Sequence, residues 1–463
     1  MGTPQETDLQ PASLSPSARA VRSLPEMNQC PPALTQSHSR SNAPAEAASA
    51  GQSSRAELTF RGNLAGTRHA WLRLTPAYSV RLVSGLLTAS SALDPPFLDP
   101  FCGTGTTLLA CTEHALDCDT VDINPFLIWL ARSKVGRYSG AQLAEAQHGI
   151  ARMRRAALRE HGRVAWTPPI HRIERWWGPA TLAALSRSNA SLDQITQSCS
   201  RAAANLLRLA FCQVLIERSR AHFGHQSMSF APGSANGAHE LVPEPSSAAA
   251  DVASSLGHAL ERLVATASAG LPATRRRLFL ADARRLDEKL PAAHYGCVIT
   301  SPPYANRMSY IRELRPYMYW LRYLEDRTRA GVLDWRAIGG TWGVATSNLG
   351  SWSPEPGAPL LGADIEARLS AIAERSLVLS RYVRKYFHDM AAHLGSLGRV
   401  LRPGGRALFV VGNSKFYDVV VPVEQVLARQ FEAAGFSGVN VETLRKRSSK
   451  KELYEFLISA RRR

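Results

Sequence analysis

The sequence is short of acidic residues, of paired cysteines and of long apolar runs, and each shortage narrows what the chain can be. Asp and Glu number 38 against 55 Lys and Arg, which leaves a formal charge of +17 over 463 residues. That excess favours a polyanionic partner such as nucleic acid, although a soluble basic protein with no such partner would carry the same charge. The seven cysteines are an odd number and form no Cys-x-x-Cys pair, so neither a disulfide framework nor a zinc site is indicated and reduced intracellular thiols are expected. No His pair stands at i, i+4 on a recognisable helix, so no metal is expected. Nothing approaches about 18 consecutive apolar residues and no apolar signal core is visible, so the expectation is a cytoplasmic protein without membrane contact.

What is present is the alternation of an α/β domain. Residues 1–56 are rich in Ser, Ala, Pro and Gln with few large apolar side chains, and are expected to form a disordered tail. Short apolar runs then read as strands at Phe97 to Asp99, Thr120 to Ile123, Arg277 to Leu280, Cys297 to Thr300 and Arg406 to Val411, with Glu455 to Ile458 as a final edge strand. Helical stretches between most of them predict a mainly parallel, doubly wound Rossmann-like sheet. The order is interrupted by Ala141 to His161, Pro179 to Ser186 and Ser200 to Arg220, all helical in pattern. The expected organisation is therefore 57–135 and 276–463 as two parts of one domain, with 136–275 a helical insertion. His225 to Val252 and Gly339 to Gly362 read as loops.

Asp99-Pro100-Phe101-Cys102-Gly103-Thr104-Gly105 lies where a strand hands over to a helix, and its glycines permit a tight turn close to a ligand. A phosphate-binding loop would need Lys where Thr106-Thr107 stands, and a dinucleotide fingerprint would need Gly or Ala where Leu108 stands. Asp122 ends the next strand, at the distance where such folds set a carboxylate for ribose hydroxyls; capping of the following helix is the competing role. Asp282, after the third strand, is placed either to contact an adenine amino group or to cap a turn.

Ile299-Thr300-Ser301-Pro302-Pro303-Tyr304 bears the chemistry. Paired prolines after an apolar strand fix an extended backbone whose carbonyls are not consumed by further sheet pairing. The Ser301 hydroxyl and the Pro302 carbonyl can then accept both hydrogens of an aromatic amine, steering its nitrogen towards a tetrahedral form. Tyr304 offers a flat face on which a base removed from a duplex can stack.

Together, Asp-Pro-Phe-Cys-Gly-Thr-Gly, Val-Asp-Ile-Asn-Pro and Thr-Ser-Pro-Pro-Tyr resemble the amino-methyltransferases of bacterial DNA modification. Ser301, where adenine-N6 members usually carry Asp or Asn, resembles the cytosine-N4 branch. The resemblance implies S-adenosylmethionine as methyl donor, Asp99, Phe101, Gly103, Thr104 and Gly105 around its methionine moiety, and Asp122 at its ribose. Thr75 and Tyr78, in a looser match to a segment preceding the glycine motif, join them. Ser301, Pro302, Pro303 and Tyr304 are implied to be catalytic, and DNA the partner. A cognate restriction endonuclease is a further implied partner, although neither it nor the recognised DNA sequence is legible in the chain. Methylation of cytosine carbon 5 would need a Pro-Cys nucleophile near the site, and none occurs.

Arg307, Arg312 and Arg315, interleaved with Tyr310, Tyr317 and Tyr319, are expected to position phosphates and line the channel for a flipped base, a buried amphipathic helix being the alternative. Arg275 to Arg277 and Arg445 to Lys451 are further candidates for phosphate contact. Two other functions stay open: the same chemistry on adenine-N6 or on RNA, and a non-catalytic nucleic-acid-binding protein on the same fold.

Overall fold

The computed structural model describes Asn63 and residues 66–72, 78–89, 93–159, 166–222, 229–230, 245–341, 343–355, 361–448 and 452–463. The expected tail 1–56 and Thr75 lie outside the described residues. After helix α1 (Val80–Thr88), strand β1 (Phe97–Asp99) leads through the glycine turn into α2 (Thr106–Glu113), and β2 (Cys118–Asp122) leads into α3 (Pro125–Lys134). The start of α3 is fixed locally: Pro125 occupies its first turn and the Asn124 side chain accepts from the Phe126 N–H at 3.0 Å.

Among the described residues, four α-helices follow before the sheet resumes: α4 (Gly140–Ala157), α5 (Pro179–Thr196), α6 (Arg201–Glu217) and α7 (Pro245–Ala267), with a short hairpin of β3 (Ala221–His222) and β4 (Ser229–Phe230) ahead of α7. Two expectations are corrected here. The second helix runs ten residues past Ser186, and 245–252, read as loop, opens α7. Residues 245–252 are mostly Ala and Ser, and 187–196 are mostly polar, so neither gives a clear apolar periodicity. Ala nevertheless favours a helix, and Ala248 and Ala249 in the one segment and Leu192 and Ile195 in the other are buried.

The chain continues through β5 (Leu278–Leu280), β6 (Tyr295–Thr300), α8 (Tyr310–Trp320), α9 (Arg327–Arg336), α10 (Val344–Ser351), α11 (Ala363–Arg375), α12 (Leu377–Val400) and β7 (Leu401–Gly412). It ends with the hairpin β8 (Ser414–Phe416) and β9 (Val419–Val421), α13 (Val423–Ala433), β10 (Phe436–Ser448) and β11 (Leu453–Arg462). The Gly339 to Gly362 region, expected to be irregular, thus holds a short helix. Trp320 of α8 meets Trp177 and Phe211 edge-on at 5.8 and 5.5 Å, tying α8 to the layer formed by α4 to α7.

Among the described residues the main sheet has the order β10-β11-β7-β6-β1-β2-β5. The pairs β1–β2, β2–β5, β1–β6 and β6–β7 are parallel, and β11 runs antiparallel between β7 and β10. The mainly parallel, doubly wound architecture is as the alternation predicts. The edge is not: Glu455 to Ile458 belongs to an interior strand, and the edge strand is β10. Its run Glu442 to Ser448 carries Arg445, Lys446 and Arg447, which read as solvated charge, and such charge is what protects an exposed edge. From β1 the order steps outward through β2 to β5, then returns to β6 on the other side of β1. This reversal opens a crevice at the carboxyl ends of β1 and β6, where open α/β sheets bind ligands.

Candidate active site

A cavity of about 290 Å3 lies at that crevice, walled by the turn after β1, the ends of β2 and β5, the loop after β6, and side chains from β10 and β11. The glycine turn is held by backbone contacts. Gly103 and Gly105 both have positive φ, +49° and +78°. A Cβ on Gly105 would stand 2.9 Å from the Ala131 Cβ, so the glycine lets α2 start against α3. Asp122 fastens the turn by accepting the Gly103 N–H at 3.0 Å on one oxygen and the Asn124 N–H at 2.8 Å on the other. Burial pushes its carboxyl up to about 6 against the pull of these donors. Asp122 lines the cavity with acceptor capacity left on its carboxylate.

Asp99 does not line the cavity but lies beneath it, 1% exposed. Its Oδ1 accepts from the Thr300 hydroxyl at 2.6 Å and from the Phe101 N–H at 3.1 Å, while Oδ2 is buried without a hydrogen-bond partner. Burial pushes this carboxyl up to about 7, against the Thr300 and Phe101 bonds. Asp99 thereby links the glycine turn to the strand that carries Ser301. Gly105 is likewise off the cavity wall, whereas Tyr78, Phe101, Gly103 and Thr104 are on it. The Tyr78 hydroxyl contacts the Thr107 hydroxyl. Asp282 lines the wall and caps the turn after β5, accepting from the Arg284 N–H at 3.0 Å and its guanidinium at 2.7 Å. Burial opposes its charge, but the Arg284 bonds outweigh it and hold the carboxyl below its ordinary value.

Strand β6 pairs with β7 as far as Thr300 and stops at the prolines, so Ser301, Pro302, Pro303 and Tyr304 enter the cavity wall as a loop. Tyr304 is held on several sides. Its hydroxyl donates to Glu455 Oε1 at 3.2 Å, and the Arg447 guanidinium lies over its ring at 5.3 Å from the centroid. Burial and the Glu455 charge push its phenol up, with the Ser301 hydroxyl pulling the other way. Glu455 in turn accepts from Arg445 Nε at 2.7 Å on its other oxygen.

Arg445, Arg447 and Glu455 line the cavity, a role sequence reasoning missed. The available signal was alternation: 445 and 447 share one face of a strand, and Arg445 is paired with Glu455 across β10 and β11. Of the arginines after the loop, Arg307 and Arg312 are exposed, but Arg315 lies over the Trp176 ring at 5.2 Å, in the packing of α8 against the helical layer. Tyr310 reaches the cavity, whereas Tyr317 is buried in a parallel stack on Phe126 and Tyr319 is buried. Arg277, read as a phosphate contact, is ion-paired with buried Asp119 at 2.6 Å near the amino ends of β2 and β5, away from the crevice.

No family model matches the chain. Over 435 residues it is 21% identical to type II methyltransferase M.AvaI of Nostoc sp. (strain PCC 7120 / SAG 25.82 / UTEX 2576) and to the protein of the same name from Anabaena variabilis, covering 84% of this chain and 83% of each relative. This similarity supports a methyltransferase activity. The solved rRNA methyltransferase aviRa from Streptomyces viridochromogenes aligns with 83% of this chain and 86% of its own at 13% identity, but its TM-score of 0.25 is too low to bear on fold or function. Among the described residues no helix is long and apolar enough to cross a membrane.

Proposed function

We propose that this chain transfers a methyl group from S-adenosylmethionine to the exocyclic N4 amine of cytosine in DNA, with the base turned out of the duplex into the cavity. The observation that carries the reading is the joint occupancy of one cavity wall by the Asp122-fastened glycine turn and by Ser301 to Tyr304. The residues fit the cofactor. Leu82, Ile123 and Leu127 offer apolar walls for a nucleoside, and Asp122 and Asp282 offer acceptors for hydroxyl and amino groups. S-adenosylmethionine, when bound, supplies a methyl group on a cationic sulfonium.

The protein's part is to make a poor nucleophile reactive. The Ser301 hydroxyl and the Pro302 carbonyl accept the two amine hydrogens, which draws the nitrogen lone pair out of conjugation and fixes its direction. Thr300, bonded to Asp99, holds this loop against the turn that carries the cofactor. Arg307 and Arg312 are the exposed side chains assigned to phosphates; Arg315 is left out because it packs on Trp176. A cognate restriction endonuclease belongs to the same reading and rests on the resemblance alone. The test is transfer of labelled methyl from S-adenosylmethionine to unmethylated duplex DNA by the full chain, with transfer lost in Ser301→Ala. Transfer to RNA alone, or cofactor binding without turnover on any duplex, would overturn it.

A further inference from the structure

The cavity is polarised. Asp122 and Asp282, with Arg336 beside Asp282 and Arg284 bonded to it, stand at the end formed by β2 and β5, and Arg445 and Arg447, with Glu455 pairing Arg445, at the end formed by β10 and β11. Carboxylates and guanidinium groups balance at the first end, whereas Arg447 has no ion-pair partner among the described residues at the second, so a cofactor bearing a sulfonium cation is disfavoured there and the arginines are left to face whatever accepts the methyl group. Building on the proposed function, we infer that Arg447 and Arg445 are specificity-determining residues that donate to the acceptor edge of the target base, with Glu455 as the residue that positions them.

The anchoring supports such a role. Arg447 uses Nε on the Tyr454 carbonyl at 3.1 Å and Nη2 on the Asn413 carbonyl, and Arg445 uses Nε on Glu455 at 2.7 Å. Both guanidinium groups are thereby fixed, while Arg447 Nη1 and the terminal nitrogens of Arg445 have no hydrogen-bond partner among the described residues and remain as donors. Gly412 makes room: a Cβ there would come within 2.8 Å of the Arg447 Cζ and 2.9 Å of the Tyr304 Cε2. Glu455 binds Tyr304 with one oxygen and Arg445 with the other, coupling the stacking ring to the donor. Beside its amine, cytosine presents a ring nitrogen and then a carbonyl oxygen, both acceptors. Adenine presents one ring nitrogen and then a C–H. Two forked donors beyond the amine-binding loop complement the first edge and leave one donor unpaired against the second.

The test uses the full chain, labelled S-adenosylmethionine and unmethylated genomic duplex DNA, with N4-methylcytosine and N6-methyladenine quantified after digestion to nucleosides. Cofactor binding and thermal melting of each variant establish that it is folded. Arg447→Met and Arg445→Met are expected to lower kcat/KM for cytosine about 10- to 100-fold each and to lower the cytosine-to-adenine product ratio, with cofactor binding retained. Arg447→Lys, which keeps the charge without the fork, is expected to recover little. Glu455→Gln is expected to lower the ratio less than Arg445→Met. An unchanged ratio and rate overturn the inference. So does a uniform rise in KM with a shallower salt dependence, which assigns the arginines to phosphate. Loss of cofactor binding overturns it by moving them to the cofactor. Failure of the underlying function is told apart because it shows in the unsubstituted protein, as absence of N4-methylcytosine.

Discussion

The two ends of the cavity are built by different means. At the end that holds the glycine turn, the turn itself is built from parts near in sequence and held by backbone: Gly103 and Asp122, 19 residues apart, are joined through a main-chain N–H, with Asp282 brought in from a later strand and bonded to both the N–H and the side chain of Arg284. At the basic end Tyr304 meets Glu455 across 151 residues through side chains alone, and Arg447 lies over the same ring. A backbone-built end is stiff, and its shape is tied to the stability of the sheet. A side-chain end can change what it recognises while the fold persists. Substitutions at the first should therefore cost stability, and substitutions at the second should change selectivity.

The largest effect is expected where the two ends meet. Ser301→Ala should lower single-turnover methyl transfer by about 10²- to 10³-fold while S-adenosylmethionine binding is retained. At the stiff end, Gly105→Val places a branched side chain at φ +78° and against Ala131, and should cost about 2–3 kcal/mol in denaturant unfolding together with cofactor binding. Asp99 gives the stiff end a pH signature. Its folded pKa of about 7 lies above the unfolded value near ~4, so the stability of its neutral form is complete below about pH 4 and is lost as pH rises to 7. Asp122, at about 6, acts in the same direction. Unfolding free energies measured from pH 4 to 7 should therefore fall for the natural protein by a few kcal/mol relative to Asp99→Asn.

At the side-chain end the contrast reverses. Gly412→Ala crowds Arg447 and Tyr304, and is expected to raise KM for DNA while lowering the melting temperature less than Gly105→Val does, since its clash falls on side chains and the backbone φ at Gly412 suits any residue. The smallest effect is assigned to the surface: Arg312→Ala should raise KM a few-fold and reduce the slope of log affinity against log salt by about 1.

The same division explains how much of the molecule the sequence discloses. Phe97-Leu98, Cys297 to Ile299 and Ala407 to Val411 are buried apolar runs in β1, β6 and β7, and the turns after β1 and β6 carry their own chemistry, so the crevice and the Ser301 loop were legible in the sequence. Asp122 ends β2 and Asp282 follows β5, as the strand pattern predicts, and the capping role weighed for Asp282 is seen in its bond to the Arg284 N–H. The Asp122 bond to Gly103 was not readable, because turn geometry decides it. Strand β10 was hidden because an edge strand protects itself with the charges that also mark a loop. Without β10, Arg445 and Arg447 read as surface charge and Glu455 as part of an edge. The packing of Arg315 was hidden for a similar reason: Trp176, under its guanidinium, comes from the helical layer, and nothing in the local spacing shows that they meet.

The most direct test of the polarised cavity is a crystal structure of the full chain with S-adenosylhomocysteine. Its nucleoside is expected beside Asp122 and Asp282, with Arg445, Arg447 and the face of Tyr304 left without contact to it. A nucleoside seated against Arg447 and Tyr304 would contradict the assignment of the two ends.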